Sequence, residues 1–151
     1  MIEGVIVKKI TKYEDNRGYL SELFRKDDLN GYLPEMAYLS YTESNIVRGP
    51  HEHKFQSDLF IFLGPGNFRL YLWDRRENSK TKGEALELEV GELNPVSVLV
   101  PPGVVHGYKC ISQVSALSLN FPDKLYRGEG KLEEIDEIRW EEDKNSPYQI
   151  N

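Results

Sequence analysis

The chain has three histidines, and they fall in two short segments: His51 and His53 in Arg48-Gly49-Pro50-His51-Glu52-His53-Lys54-Phe55-Gln56-Ser57-Asp58, and His106 in Pro101-Pro102-Gly103-Val104-Val105-His106-Gly107-Tyr108. In a strand, positions i and i+2 project from one face, so His51 and His53 are expected to point together into a barrel, with Asp58 joining them from the start of the next apolar run. His106 then closes a set of three nitrogens and one oxygen suited to Zn, Mn, Fe(II) or Ni. The competing reading of a bare His-x-His pair is two surface residues in a loop. A third histidine just after a Pro-x-Gly turn argues for convergence instead.

The elements that must carry these residues read as strands. Apolar residues recur mainly at period two, and Gly, Pro, Asn and Asp punctuate the chain about every ten residues, as an all-β domain requires. The strand candidates are residues 5–7, 19–24, 36–42, 58–63, 68–73, 85–90, 96–100, 106–111 and 114–119. Leu86, Leu88 and Val90 alternating with Glu87 and Glu89 give the clearest pattern of one wet and one dry face. Gly64-Pro65-Gly66-Asn67 reads as a tight turn making a hairpin of the two most aromatic strands. Nine or so short strands suggest a double-sheet jelly roll, taken as a single domain over 1–151. After Tyr126 the chain turns acidic, with Leu132, Ile135, Ile138 and Trp140 spaced as the buried stripe of a short, partly helical tail.

Charge and cysteine content exclude several functions. The net charge is −6, with 19 Lys and Arg against 25 Asp and Glu. Residues 129–143 hold eight acids against Lys131 and Arg139, leaving the remainder near neutral. No basic stripe exists for phosphate backbones, so nucleic acid is not an expected partner. Cys110 is the only cysteine, which removes an internal disulfide and a cysteine-built metal site and fits a reducing cytoplasm. No window of 18 uninterrupted apolar residues occurs, and the first ten residues do not read as a signal peptide, so no membrane association is expected.

The histidine segments resemble the two motifs of the cupin superfamily: His-x-His, an acid some residues on, a following glycine at Gly64, and later Pro-x-Gly-x-x-His. The resemblance narrows to the dTDP-4-dehydrorhamnose 3,5-epimerases. Asp15-Asn16-Arg17-Gly18-Tyr19-Leu20-Ser21-Glu22-Leu23-Phe24 is similar to their D-x-R-G-x-x-x-E-x-F, and Val47-Arg48-Gly49-Pro50-His51 to their R-G-L-H segment. The run from Asp74 to Gly83 matches their D-x-R-x-x-S-P-T-x-G except for Lys80 in place of proline. Val100 to Tyr108 resembles their I-P-x-G-x-A-H-G-F, and Ile138-Arg139-Trp140 their I-x-W. The fold this implies is the cupin double-stranded β-helix. The implied activity is metal-free epimerisation of a nucleotide-linked 4-keto-6-deoxyhexose in a homodimer, serving polysaccharide synthesis. In that family a histidine removes a proton beside the ketone and a tyrosine returns one from the other face.

Carried across residue by residue, the resemblance puts His51 at the base, Arg48 at the diphosphate or enolate oxygen, and Arg17 and Glu22 at the nucleotide, commonly across the dimer. Three departures stand against it. Asn120 occupies the place of the proton-donating tyrosine, six residues before Tyr126, and an amide cannot deliver a proton. Asp58 replaces an active-site lysine, and His53 stands two residues after the base. The shortened tail leaves the acidic partner of His51 to Glu133, Glu134 or Asp136. The expected catalytic set is therefore His51, Tyr126 and Asp136, with Arg17, Glu22, Arg48, His53, His106 and Asn120 binding substrate and no cofactor. Ketoisomerisation, which needs the same enolate, is close to epimerisation. The alternatives are a metal-dependent oxygenase or isomerase using His51, His53, Asp58 and His106, and a non-catalytic sugar-nucleotide binder.

Overall fold

The computed structural model describes residues 1–151 and is built from antiparallel strands with three single-turn 3₁₀ segments. One sheet has the order β1 (Ile6–Lys9), β9 (Val96–Val100), β6 (Asp58–Phe62), β11 (Ala116–Asn120), β4 (Tyr38–Thr42). The facing sheet has the order β12 (Ile138–Arg139), β5 (Val47–Glu52), β10 (Val104–Cys110), β7 (Asn67–Asp74), β8 (Ala85–Gly91). A separate two-stranded ribbon joins β2 (Tyr13–Asp15) to β3 (Gly18–Leu20). The two five-stranded sheets pack face to face as the expected jelly roll.

Period-two patterning explains the packing. Phe60 and Phe62 of β6, Phe68, Leu70 and Leu72 of β7, Val96, Val98 and Val100 of β9, and Leu86, Leu88 and Val90 of β8 form the core between the sheets. Each large apolar side chain withdrawn from water there contributes roughly 1.5–3 kcal/mol. The whole of β6 is buried, because its outward residues Leu59 and Ile61 are covered by Leu23, Phe24, Leu29 and Tyr32. The expected strand over 19–24 is therefore short, ending at Leu20, while the rest of that segment lies over the sheet as irregular chain.

Two expectations are corrected. Residues 64–67 do not close a hairpin, since β6 pairs with β9 and β11 while β7 pairs with β8 and β10. The turn, with positive φ at Gly64 and Gly66, carries the chain from one sheet to the other. The aromatic strands meet through the core instead, Phe62 against Phe68 at 5.4 Å between ring centres. The tail is mostly irregular chain with 3₁₀ turns at Glu129–Lys131 and Trp140–Glu142, and the two residues of β12 add it to the edge of β5, but its apolar residues do not form one buried stripe. Leu132 is 87% exposed and belongs to no buried stripe.

The Asp74–Gly83 segment is structural. The buried Asp74 carboxylate accepts from Arg76 Nε (2.8 Å), Ser79 Oγ (2.5 Å) and Thr81 Oγ1 (2.6 Å), and Arg76 holds its pKa well below the usual carboxylate range. Lys80 makes a contact that proline could not, because its backbone N–H donates to Glu3 Oε2 at 3.0 Å.

Candidate active site

At one end of the barrel the interior changes from apolar to polar. His51 of β5 lies opposite His106 of β10 in register, their rings 4.6 Å apart, and His53 follows at the end of β5 with its ring 5.8 Å from His51. From the other sheet β6 contributes Asp58, β11 contributes Asn120, and β4 contributes Tyr38, which pairs with Asn120 in register. The inward face of each strand is thus apolar at depth and polar at the mouth. The three histidines and Asp58 do converge.

Asp58 organises the cluster. It is 1% exposed, and its Oδ1 accepts from Asn120 Nδ2 at 2.7 Å and Gln56 Nε2 at 2.9 Å. Its Oδ2 lies 3.3 Å from His53 Nε2 and 3.4 Å from His106 Nε2. Burial alone raises a carboxyl pKa, but the two histidines outweigh it and hold Asp58 ionised well below the usual range. For His53, burial opposes the charge, whereas the hydrogen bond and charge of Asp58, the Asp136 carbonyl and Glu137 push its pKa up to about 9. His53 Nδ1 donates to that carbonyl, so His53 is a cation paired with Asp58 at neutral pH. His51 behaves oppositely. Burial, then the neighbouring His106 and the cationic His53, hold its pKa well below the ordinary value, leaving a neutral imidazole.

Asp136 is not the partner of His51. Its carboxylate is occupied by the backbone N–H groups of Lys54, Phe55 and Gln56, at 3.0, 2.9 and 3.0 Å, so it fastens the C-terminal segment over the histidine loop. The acid facing His51 is Glu137, with Oε1 3.8 Å from Nδ1, followed by Glu141 at 4.0 Å. Both distances exceed hydrogen-bond length. Sequence reasoning missed Glu137, although it stands immediately before the Ile138-Arg139-Trp140 segment; Arg139 of β12 pairs with His51 of β5.

The remaining expected residues divide. Asn120 lies in the buried cluster, and His106 is anchored through Nδ1 to the Val104 carbonyl at 3.0 Å. Arg48 Nε donates to Thr42 Oγ1 at 2.8 Å and Nη2 to the Tyr41 carbonyl at 3.1 Å. Tyr126 sits on the rim of a cleft of about 870 Å³ that reaches Tyr38, His53, Gln56 and Glu137. Arg17 and Glu22 lie outside it. Arg17 is the exposed turn of the β2–β3 ribbon, ion-paired to Asp15 at 2.6 Å, and Glu22 pairs with Arg25 at 3.2 Å. Within one chain they share no site with the histidines.

The donor set bears on metal binding. Nitrogens of His51, His53 and His106 lie within 4.8 Å of one another, a spread one ion can gather. Yet Asp58 stands between His53 and His106 and pairs with the His53 cation, and a proton on His53 Nε2 occupies the lone pair a metal needs. As arranged, these residues fit a hydrogen-bonded proton network better than a coordination sphere.

Residues 1–144 match the family described as dTDP-4-dehydrorhamnose 3,5-epimerase. Among curated relatives, the spore coat polysaccharide biosynthesis protein SpsL of Bacillus subtilis is 38% identical over 128 residues, 83% of each chain. The probable low-salt glycan biosynthesis epimerase Agl13 of Haloferax volcanii is 36% identical over 135 residues, 88% of this chain and 86% of that one. Of solved structures, a dTDP sugar isomerase from Desulfovibrio desulfuricans superposes with a TM-score of 0.85 at 23% identity, covering 98% of this chain and 91% of that one. A dTDP-4-dehydrorhamnose 3,5-epimerase from Sulfolobus tokodaii gives 0.71 at 25% identity, covering 80% and 70%.

Proposed function

The chain belongs to the dTDP-4-dehydrorhamnose 3,5-epimerase family, and from that premise we propose that it is a nucleotide-sugar isomerase acting on a dTDP-linked 4-keto-6-deoxyhexose by removing a proton from a carbon beside the ketone. The observation that carries this reading is the opposite tuning of two adjacent histidines, with His51 held neutral and His53 held cationic. A proton α to a ketone is acidic only if the enolate is stabilised, so the reaction needs a neutral base beside a fixed positive charge. His51 is the base. His53, the buried His106 and Arg48 supply positive charge or donors to the developing enolate oxygen. Glu137 orients His51 and stabilises the imidazolium once the proton is taken, the 3.8 Å separation tightening when substrate closes the site. His106 Nε2 and Asn120 Oδ1 have no good hydrogen-bond partner in the protein although both are buried, which supports a polar ligand reaching this depth. The direct test is incubation with a dTDP-4-keto-6-deoxyhexose in deuterated water: ring protons beside the ketone are expected to exchange, and retention of every one overturns the reading.

On this reading the enzyme uses no metal or other cofactor. Elemental analysis of protein prepared without chelator is expected to give well under one transition ion per chain, with turnover unchanged by added Zn, Mn, Fe or Ni. One tightly held ion per chain, lost together with activity on chelation, transfers His51, His53, Asp58 and His106 to the metal-dependent class.

The nucleotide is held by Arg17 and Glu22 of a second copy of the chain, and the working unit is a homodimer. The ribbon that carries Arg17 exposes Tyr13, Tyr19 and Leu20, and the outer face of β4 exposes Leu39 and Tyr41, an apolar surface suited to burial between copies. Arg17→Ala is expected to weaken dTDP binding by about 1.5–3 kcal/mol, the scale of a charged hydrogen bond, without altering the fold. Calorimetric titration checks this, and equal affinity for wild type and variant removes Arg17 from the nucleotide site. The reaction needs only soluble groups, and no helix is long and apolar enough to cross a membrane. The lone buried thiol Cys110 suits a reducing cytoplasm, which is where we place the protein.

A further inference from the structure

Asn120 stands where the family resemblance leads one to expect the tyrosine that returns a proton, and one of the side chains it touches is a tyrosine. Asn120 Nδ2 donates to Tyr38 Oη at 2.9 Å and to Asp58 Oδ1 at 2.7 Å. An ionised carboxylate only accepts, so Asp58 fixes the amide with its nitrogen inward and both N–H groups are spent on these two oxygens. Tyr38 Oη therefore accepts from Asn120, and its own hydrogen must point elsewhere. Tyr38 lines the cleft, so the free direction is toward bound substrate. Tyr38 is the register partner of Asn120 on the neighbouring strand β4, at the mouth of the barrel.

We propose that Tyr38 is the catalytic acid of this enzyme, delivering its phenolic proton to the enolate carbon on the side opposite His51, while Asn120 is the positioning residue that aims it. The inference rests on the isomerase reading above. His51 belongs to β5 of one sheet and Tyr38 to β4 of the other, so the two groups approach a sugar ring between the sheets from opposite sides. In the step, the carbon–hydrogen bond forms as the Tyr38 O–H bond breaks. The electron pair left on the phenolate is met by the Asn120 N–H already in place, and water in the open cleft restores the proton. Burial pushes the Tyr38 pKa up to about 12 against the opposing pull of Asn120, so the phenol is loaded at neutral pH. Tyr126 is the rival donor. The two tyrosines are similarly exposed, Tyr38 at 44% and Tyr126 at 47%, but no group in the protein hydrogen-bonds to the Tyr126 hydroxyl to orient it or to hold a phenolate.

The experiment compares proton wash-in with net turnover. In deuterated water the Tyr38→Phe variant is expected to exchange the proton that His51 removes at a rate within a few-fold of wild type, while formation of the inverted product falls by about 100-fold or more. Asn120→Ala is expected to fall less and to be accompanied by the same split between exchange and product. A role for Tyr38 in folding alone reduces exchange and product together, and that result overturns the proposal. So does full product formation by Tyr38→Phe, or the split appearing in Tyr126→Phe instead. Wild-type protein that exchanges nothing overturns the isomerase reading itself, which separates that failure from this one.

Discussion

His51→Asn is expected to abolish turnover of a dTDP-4-keto-6-deoxyhexose, with at least 10²–10⁴-fold lost through proton transfer alone, as an order of magnitude. The reason lies in its surroundings. Burial and the two neighbouring histidines, His53 among them as a cation, keep the imidazole neutral, so its lone pair is available at any pH near neutrality. Asparagine fills part of the same space and keeps a polar atom, but it has no lone pair basic enough to take a carbon-bound proton. Unlike Tyr38→Phe, this variant should lose deuterium wash-in as well as product, because no other neutral base faces the same position. Stability should change little, since the folded protein gains nothing from protonating His51 and the variant leaves no charge unpaired. Measured exchange near the wild-type rate in His51→Asn removes the base from β5 and with it the assignment of Glu137 as its partner.

Much of this architecture is legible in the sequence, and the parts that are not share a physical cause. Strands such as β8 and β9 announce themselves by alternation or by an unbroken apolar run between turn residues, because burial of one or both faces is a local property of the residue pattern. The convergence of His51, His53, Asp58 and His106 follows from period two and from two Pro-Gly turns. Which sheet a strand joins is not local. The 64–67 turn has the composition of a hairpin, yet β6 and β7 join different sheets and Phe62 meets Phe68 across the core between them. The acids of the tail are equally unreadable from composition. Glu133, Glu134, Asp136 and Glu137 differ only in where β12 docks, and that register turns Glu137 toward His51 and spends Asp136 on three backbone amides. Tyr38 stayed hidden for the same reason: it reads as one aromatic among several on an edge strand until the pairing of β4 with β11 sets it against Asn120. The resemblance to a known family named His51 as the base, and the structure sets that residue beside His53 and His106, but the resemblance carried no information about Tyr38.

Asp58→Asn is expected to cost the most stability of any single substitution in the site, about 3–5 kcal/mol, because removing one partner of a buried ion pair leaves the other charge uncompensated. For a chain of this size that lowers Tm by roughly 6–20 °C. The pH dependence gives the test its sign. His53 has a folded pKa raised to about 9, so its contribution is fully present below the ordinary value of 6.5 and is lost as the pH rises through about 9. Asp58 has a depressed folded pKa, so its contribution is present above the ordinary carboxylate value and is lost only as the pH falls below it. The pair therefore stabilises most between about pH 4 and 6.5, a window bounded by the two ordinary pKa values. Urea unfolding of wild type and Asp58→Asn should differ most in that window and converge as the pH passes 9, where wild-type His53 is also neutral. The same titration reaches the chemistry, because a neutral His53 no longer offers positive charge to the enolate oxygen. Wild-type turnover should fall on the alkaline side near pH 9, and in Asp58→Asn the fall should move toward neutrality, since the charge that sustains the His53 proton is gone. An unfolding difference that stays constant from pH 6 to 10, with an unmoved alkaline limb, dissolves the Asp58–His53 pair as the source of either effect.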